Sequence, residues 1–246
     1  MVTYIGGPTA ILEYAGLRIL LDPTFDPPQA YEKDEDGDGL VKIVGPAIAV
    51  DEIGPIDVVL LSHHEHHDNL DASGRELLDQ VPLTLSTAKA GADLGRPVVG
   101  LDTWETHTVG AVTVTAAPAL HGPPGSEPIV GPVIGFVLEA AQEPTVYVSG
   151  DNASVELVHH IADRFPQIDV AVLFAGAARV PSIDATLTLT SEDAAEAARI
   201  LGVSRVVGVH TEDWEHFSET RAQLETAFAG TGLLVSTPRG IATQIV

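Results

Sequence analysis

The chain has 246 residues, with 12 Lys+Arg against 35 Asp+Glu for a formal net charge of -23, ten His and no Cys. Its 45% apolar and 19% charged composition excludes disorder by composition, and a length near 250 is enough to bury a sizeable core. Without cysteine there is no disulfide framework, thiolate nucleophile or Cys-ligated zinc, and a chain this acidic repels phosphate backbones and anionic lipid, so neither nucleic acid nor membrane is an expected partner.

The first elements read as strands at Val2 to Ile5, Ala10 to Tyr14 and Leu17 to Leu21, the last two joined by a tight turn at Ala15-Gly16. Asp22-Pro23 ends the third. A polar stretch from Pro27 to Gly39 follows, part of a surface loop insertion over 27–45. Ile56 to Leu61 is a continuous apolar run of the kind buried on both faces. Helices are predicted at Leu70 to Gln80 and Thr87 to Leu94, then strands at Ala111 to Ala116, Val133 to Leu138 and Thr145 to Val148. A helix from Ser154 to Phe165 stops at Pro166, and a buried strand follows at Asp169 to Phe174. Thr190-Ser191-Glu192-Asp193 is a capped start for a helix that runs to Leu201 and stops at Gly202. A strand at Arg205 to Val209, a helix at Ser218 to Phe228 and a closing hairpin from Leu233 to Ile245 complete the chain. One domain over 1–246 is the economical organisation. Met1 to Pro8 lack the basic start and apolar run of a signal peptide, so a cytoplasmic location is expected.

Four of the ten His fall in Ser62-His63-His64-Glu65-His66-His67-Asp68-Asn69, which begins where a buried strand ends. Loops at strand ends are held rigidly by the sheet, and imidazole and carboxylate are the ligands left to zinc when cysteine is absent. The pattern repeats: His121 follows the run Ala116 to Leu120, Asp151 follows Val146 to Gly150, and His210 follows Arg205 to Val209. Singly, His121 or His210 reads as a hydrogen-bonded structural histidine. Four strand ends each presenting a ligand type point to a metal site.

These motifs, together with Gly6-Gly7-Pro8-Thr9-Ala10, Ile19-Leu20-Leu21-Asp22-Pro23, Leu120-His121-Gly122, Ser149-Gly150-Asp151-Asn152 and Val209-His210 followed by Trp214 and Phe217, resemble the metallo-β-lactamase superfamily, in its branch similar to L-ascorbate-6-phosphate lactonase. The resemblance implies an α/β fold, a four-layer αβ/βα sandwich with the metal site along one edge of two facing sheets. It implies a metal-dependent hydrolase in which metal-activated water attacks an ester, lactone, amide or phosphoester bond of a small molecule. The cofactor is Zn2+, one or two ions, with Mn2+ as the harder alternative.

Carried onto this chain, the family's His-x-His-x-Asp-His pattern meets two registers. Counting back from Asp68 gives His64-x-His66-x-Asp68 with Asn69 in the last His position, whereas counting from the strand end starts at His63. His66 and Asp68 are taken as ligands, and His63 and His64 compete for the remaining place; a one-residue bulge lets His63 serve. His121 completes the first metal, Asp151 bridges, and His210 belongs to the second. His66, Asp68 and Asp151 are the expected catalytic residues, Asp68 orienting the water or taking its proton. Asn69 is a weaker ligand than imidazole, which motivates the rival expectation of a non-catalytic metal-binding or sensing member with a degraded second site. A nuclease is disfavoured by the charge.

Other features are set aside. Asp34-Glu35-Asp36-Gly37-Asp38-Gly39 resembles half an EF-hand loop, but Gly45 stands where the bidentate Glu belongs, and a solvated acidic loop is the better reading. His159-His160 read as surface or packing residues of a helix, and Trp214 and His216 as residues near the cleft, with packing equally apt for Trp214.

Overall fold

The computed structural model describes residues 1–32 and 39–245. The first half contains β1 (Val2–Gly6), β2 (Thr9–Tyr14), β3 (Leu17–Leu21), β4 (Gln29–Ala30), β5 (Val41–Lys42), β6 (Val58–Leu60), α1 (Ala72–Leu78), β7 (Thr84–Thr87), α2 (Ala88–Leu94), β8 (Val98–Leu101), β9 (Thr106–Val109) and β10 (Val112–Pro118). The second contains α3 (Glu127–Val130), β11 (Ile134–Glu139), β12 (Val146–Val148), α4 (Val155–Arg164), β13 (Val170–Phe174), α5 (Ser191–Leu201), β14 (Arg205–Val209), α6 (Arg221–Ala227) and β15 (Ala242–Thr243).

Two mixed sheets result. One has the order β15-β1-β2-β3-β6-β7-β8, the other β14-β13-β12-β11-β10-β9. Each begins antiparallel through hairpins and turns parallel further along the chain: β3, β6, β7 and β8 run parallel, as do β12, β13 and β14. The period-2 alternation of the strands sorts their side chains into three apolar layers. Tyr4, Leu12, Ile19 and Leu60 face Val114, Phe136, Val148 and Val207 between the sheets. Ile11, Leu20 and Val59 face outward onto Leu77, Leu78 and Ala90 of α1 and α2. Tyr147, Ala171 and Leu173 face outward onto Val158 and Ile161 of α4 and Ala194, Ala197 and Leu201 of α5. The architecture is therefore the expected αβ/βα sandwich.

The helix ends are set locally. Thr190 and Asp193 form the capping box predicted for α5, and Gly202 closes it in the left-handed conformation at φ 66°. α4 starts on Ser154, whose hydroxyl accepts from the Leu157 N–H.

The structure departs from the sequence expectations in three places. The short strands β7, β8 and β9 and the short helix α3 were not anticipated; β7 is Thr-Leu-Ser-Thr, fully buried although three of its four residues are polar. The chain after α6 forms no hairpin. Leu234 bridges Val206 in parallel beside β14, then β15 crosses to pair with β1 in the other sheet. Pro238 and the left-handed Gly240 lie between these segments and break the run. The insertion over 27–45 carries a two-stranded ribbon, β4 and β5. Its Asp34 to Asp38 motif lies outside the described residues. Among the described residues no helix is long and apolar enough to cross a membrane.

Candidate metal centre

Five polar side chains leave the ends of strands that run to the same edge: Asp22 after β3, His63 after β6, His121 beyond β10, Asp151 beyond β12 and His210 after β14. The two sheets touch beside them, where the Ile134 N–H donates to the Ser62 carbonyl over 3.1 Å. Gly150 sits in this seam at φ +55°, and a Cβ there would lie 2.6 Å from the Ile134 carbonyl oxygen and 2.8 Å from Ser62 Cβ, so the approach requires glycine.

Three imidazoles converge first. His63 Nε2 lies 2.9 Å and His121 Nε2 3.1 Å from His66 Nδ1. The far nitrogen of His121 donates, because its partner at 2.8 Å is the Leu187 carbonyl. The far nitrogen of His63 donates to Ser62 Oγ at 3.0 Å, because that hydroxyl spends its own proton on Asp22 Oδ2 at 2.7 Å. Both Nε2 atoms therefore present bare lone pairs to His66. Burial keeps the rings neutral: it pushes His121 down to about 3, and holds His63 well below the ordinary imidazole value with the help of its His neighbours.

A second group adjoins it. Asp68, Asp151 and His210 bring one ligand atom each within 4.8 Å of one another, as do His63, His66 and His121. His210 Nε2 is 3.1 Å from Asp68 Oδ2 and 3.6 Å from Asp151 Oδ1, and His121 Nε2 lies 3.7 Å from Asp151 Oδ2, so Asp151 faces both groups. Both Asp151 oxygens are buried without a hydrogen-bond partner. Burial, with the charges of Asp68 and Asp22, pushes its carboxyl well up. At Asp68 burial acts upward too, but His216 and His210 outweigh it and hold that carboxyl well below the usual range. His210 is aimed by a left-handed backbone, φ 59°, which costs a non-glycine residue about 1–2 kcal/mol. Its N–H donates to Gly7 O at 2.6 Å, and its ring lies between Phe174 and Phe217.

The donor set suits a divalent ion of the zinc or manganese type. Converging bare nitrogens and partnerless buried carboxylate oxygens are each costly alone and are satisfied together by a cation.

His64 is not brought into this constellation. Its ring reaches Asp93 Oδ2 at 3.0 Å and Glu65 Oε2 at 3.2 Å on the α2 side. No strand bulge is involved: His66 O accepts from the N–H groups of Asn69 and Leu70, so residues 63–69 turn tightly and place His63 and His66 on one side. Asn69 is fully buried, its amide nitrogen donating to Asp22 Oδ2 at 3.1 Å and Ser62 Oγ at 3.4 Å and its oxygen without a hydrogen-bond partner. His159 and His160 are exposed on α4. Sequence reasoning placed His216 near the cleft, where it lies, but named neither it nor Asp22 as a member of the cluster. Asp22 accepts from the Ser62 N–H at 2.6 Å and is pushed by burial up to about 7; the signal was its strand-end position. His216 places Nε2 3.0 Å from Asp68 Oδ2; the signal was its nearness to His210 in sequence.

A cleft of about 270 Å³ opens over the cluster. His66, Asp68, His121 and His216 form its floor, and Leu40, Ile129, Val130, Val180 and Leu187 its walls, with Glu32 and Glu65 at the sides. Tyr31 of the ribbon segment stacks on His67 at 4.3 Å and on Trp214 at 5.5 Å. Trp214 itself is buried packing.

Two facing mixed sheets carrying a His/Asp cluster on their common edge define a metal-dependent hydrolase of the metallo-β-lactamase fold. Residues 17–211 match the family described as the beta-lactamase superfamily domain, and the chain belongs to that family. It is similar to a protein of Rubrobacter xylanophilus named as a metal-dependent hydrolase, 27% identical over 222 residues that cover 85% of this chain and 80% of the relative. Among solved structures, one described as a possible metal-dependent hydrolase from Veillonella parvula superposes with a TM-score of 0.82 at 19% identity, covering 98% of this chain and 97% of that one. An isothiocyanate hydrolase from Delia radicum gut bacteria superposes with a TM-score of 0.80 at 22% identity, covering 100% and 99%.

Proposed function

We propose that this hydrolase cleaves an ester, lactone or amide bond of a small, uncharged and largely apolar molecule, using zinc or manganese held by His63, His66 and His121 and by Asp68, Asp151 and His210. The observation that carries the metal reading is the convergence of the His63 and His121 Nε2 lone pairs on His66 Nδ1. Bound there, a divalent ion supplies positive charge that acidifies water near neutral pH and stabilises an anionic transition state.

The chain's own residues do the rest. Asp68, on the floor of the cleft, is the carboxylate placed to orient an attacking water and accept its proton. The aliphatic walls exclude bulk water and seat an apolar group, which raises the strength of charge interactions on the floor. Among the described residues Glu32 and Glu65 are the acidic side chains on the walls, and no Lys or Arg lines the cleft. An anionic substrate meets repulsion there, which argues against phosphoesters and against a phosphorylated lactone.

Metal analysis of protein purified without chelator, followed by turnover on nitrophenyl esters, lactones, anilides, an isothiocyanate and phosphodiesters, tests the reading. The expected result is bound zinc or manganese and turnover of neutral members, abolished by His66→Ala and Asp151→Ala. Protein that neither holds nor takes up either metal overturns it. The rival reading, a binding-only protein, draws on Asn69 in a ligand position of the family pattern; bound metal without turnover on any member of the panel is its signature.

A further inference from the structure

The family pattern leaves the second metal position one imidazole short, because Asn69 stands after Asp68. The amide nitrogen of Asn69 donates to Asp22 and Ser62, bracing the loop that carries His63, and its oxygen, buried without a hydrogen-bond partner, is a weaker ligand than imidazole. On the opposite side of Asp68 a different imidazole is already in place. His216 Nε2 lies 3.0 Å from Asp68 Oδ2, and His210 Nε2 lies 3.1 Å from the same oxygen. Separations of this size are those of neighbouring ligands on one ion with bonds of ~2.1 Å.

We infer that His216 is a ligand of the second metal, supplying from the loop after β14 the imidazole that Asn69 does not. The inference rests on the metal-dependent reading proposed above.

The loop is built to hold this ring. Asp213 anchors it at a left-handed backbone position, accepting from the Gly7 N–H at 2.9 Å and pairing with Arg239. Trp214 is clamped by an antiparallel bridge to Lys42, whose ammonium lies 5.4 Å over its ring. The His216 carbonyl accepts from the Arg179 N–H at 3.0 Å, and its ring packs edge-on against Phe217 at 4.6 Å. The side chain is 11% exposed, and that exposure opens into the cleft. A histidine serving only as an orienting partner of Asp68 would need one hydrogen bond, which glutamine also makes; a ligand needs the imidazole lone pair.

The test counts metal rather than product. Metal-free protein is titrated with Co2+ and followed by visible absorption, with equivalents confirmed by elemental analysis, for the wild type, His216→Gln and His216→Ala. The wild type is expected to take two equivalents. Both variants are expected to keep the first with an unchanged spectrum, which also reports an intact fold, and to bind the second at least about 10-fold more weakly. Two tight equivalents in His216→Gln overturn the inference and make His216 a positioning residue of Asp68, while leaving the hydrolase reading intact. A wild type that saturates at one equivalent overturns it as well. No Co2+ uptake by any of the three proteins strikes at the metal-dependent reading itself.

Discussion

Ser62 Oγ donates to Asp22 Oδ2 over 2.7 Å while accepting from His63 Nδ1 at 3.0 Å, so the carboxylate at the end of β3 sets which nitrogen of His63 faces His66 in the candidate metal site. The Asp22 backbone is left-handed, φ 31°, and both of its oxygens are engaged, by the Ser62 N–H at 2.6 Å on one side and by Ser62 Oγ and Asn69 on the other. Four strands of chemistry meet in one residue: strand end, loop brace, tautomer control and buried charge.

Removing that control should weaken the three-histidine site without touching a ligand. Asp22→Ala is expected to lower affinity for the first metal by about 10- to 100-fold, the usual effect of losing a ligand's orienting partner. Competition titration against a chromophoric chelator measures it. Affinity unchanged within about 2-fold would mean that Ser62 alone fixes His63.

The same carboxyl makes the metal-free protein sensitive to pH. Burial pushes Asp22 up to about 7, against an unfolded-state value of about 3.9. Between these values the native state holds a proton that the unfolded state has lost, so the Asp22 contribution to stability falls as pH rises from about 4 to 7 and is flat above, whereas His63, His121 and His210, lowered by burial, contribute in the opposite direction up to about 6.5. Asp151, raised by its own burial, acts in the same direction as Asp22. Asp22→Asn should flatten the profile by an amount on the order of a few kcal/mol across this window. Urea midpoints of metal-free protein at pH 5 and pH 8 decide the matter, and equal slopes for the two proteins count against it.

His63 and His64 are adjacent, yet only one faces the cluster. His63→Ala should remove the first metal equivalent, because two imidazoles remain where three converged. His64→Ala should leave metal content at the wild-type level, since its ring is spent on Asp93 and Glu65. Elemental analysis of the two variants side by side is sufficient, and loss of metal in His64→Ala would reverse the assignment.

That pair also shows where sequence reading stops. The apolar run ahead of Ser62 announces a buried strand, and a strand end that opens on histidines announces a site, so His121, Asp151 and His210 are legible in the same way. The choice between His63 and His64 depends on a turn whose hydrogen bonds to His66 O involve residues 69 and 70, which no periodicity encodes. His216 is hidden for a related reason: it sits in an irregular loop, and its position comes from anchors at Gly7, Lys42 and Arg179, distant in sequence. β7 was obscured by its composition, because Thr84 and Ser86 are polar in sequence yet fully buried in the sheet.

The insertion is tied to the site by a buried ion pair. Lys42 Nζ lies 3.0 Å from Asp71 Oδ2, with the two side chains 2% and 0% exposed. Asp71 also caps α1 through the Gly74 N–H and accepts from the Asp26 N–H at 2.6 Å. Lys42→Met removes the cation but leaves the carboxylate buried, a change that typically costs about 3–5 kcal/mol. The methionine stem retains part of the packing on Trp214, so the loss reports mainly the uncompensated charge. Because Trp214 and Tyr31 rest on this junction, the ribbon should also loosen over the cleft, raising KM for an apolar ester more than it lowers kcat. Chemical denaturation and steady-state kinetics on the one variant test both halves; a stability loss under about 1 kcal/mol would show that Asp71 is adequately held by its backbone donors alone.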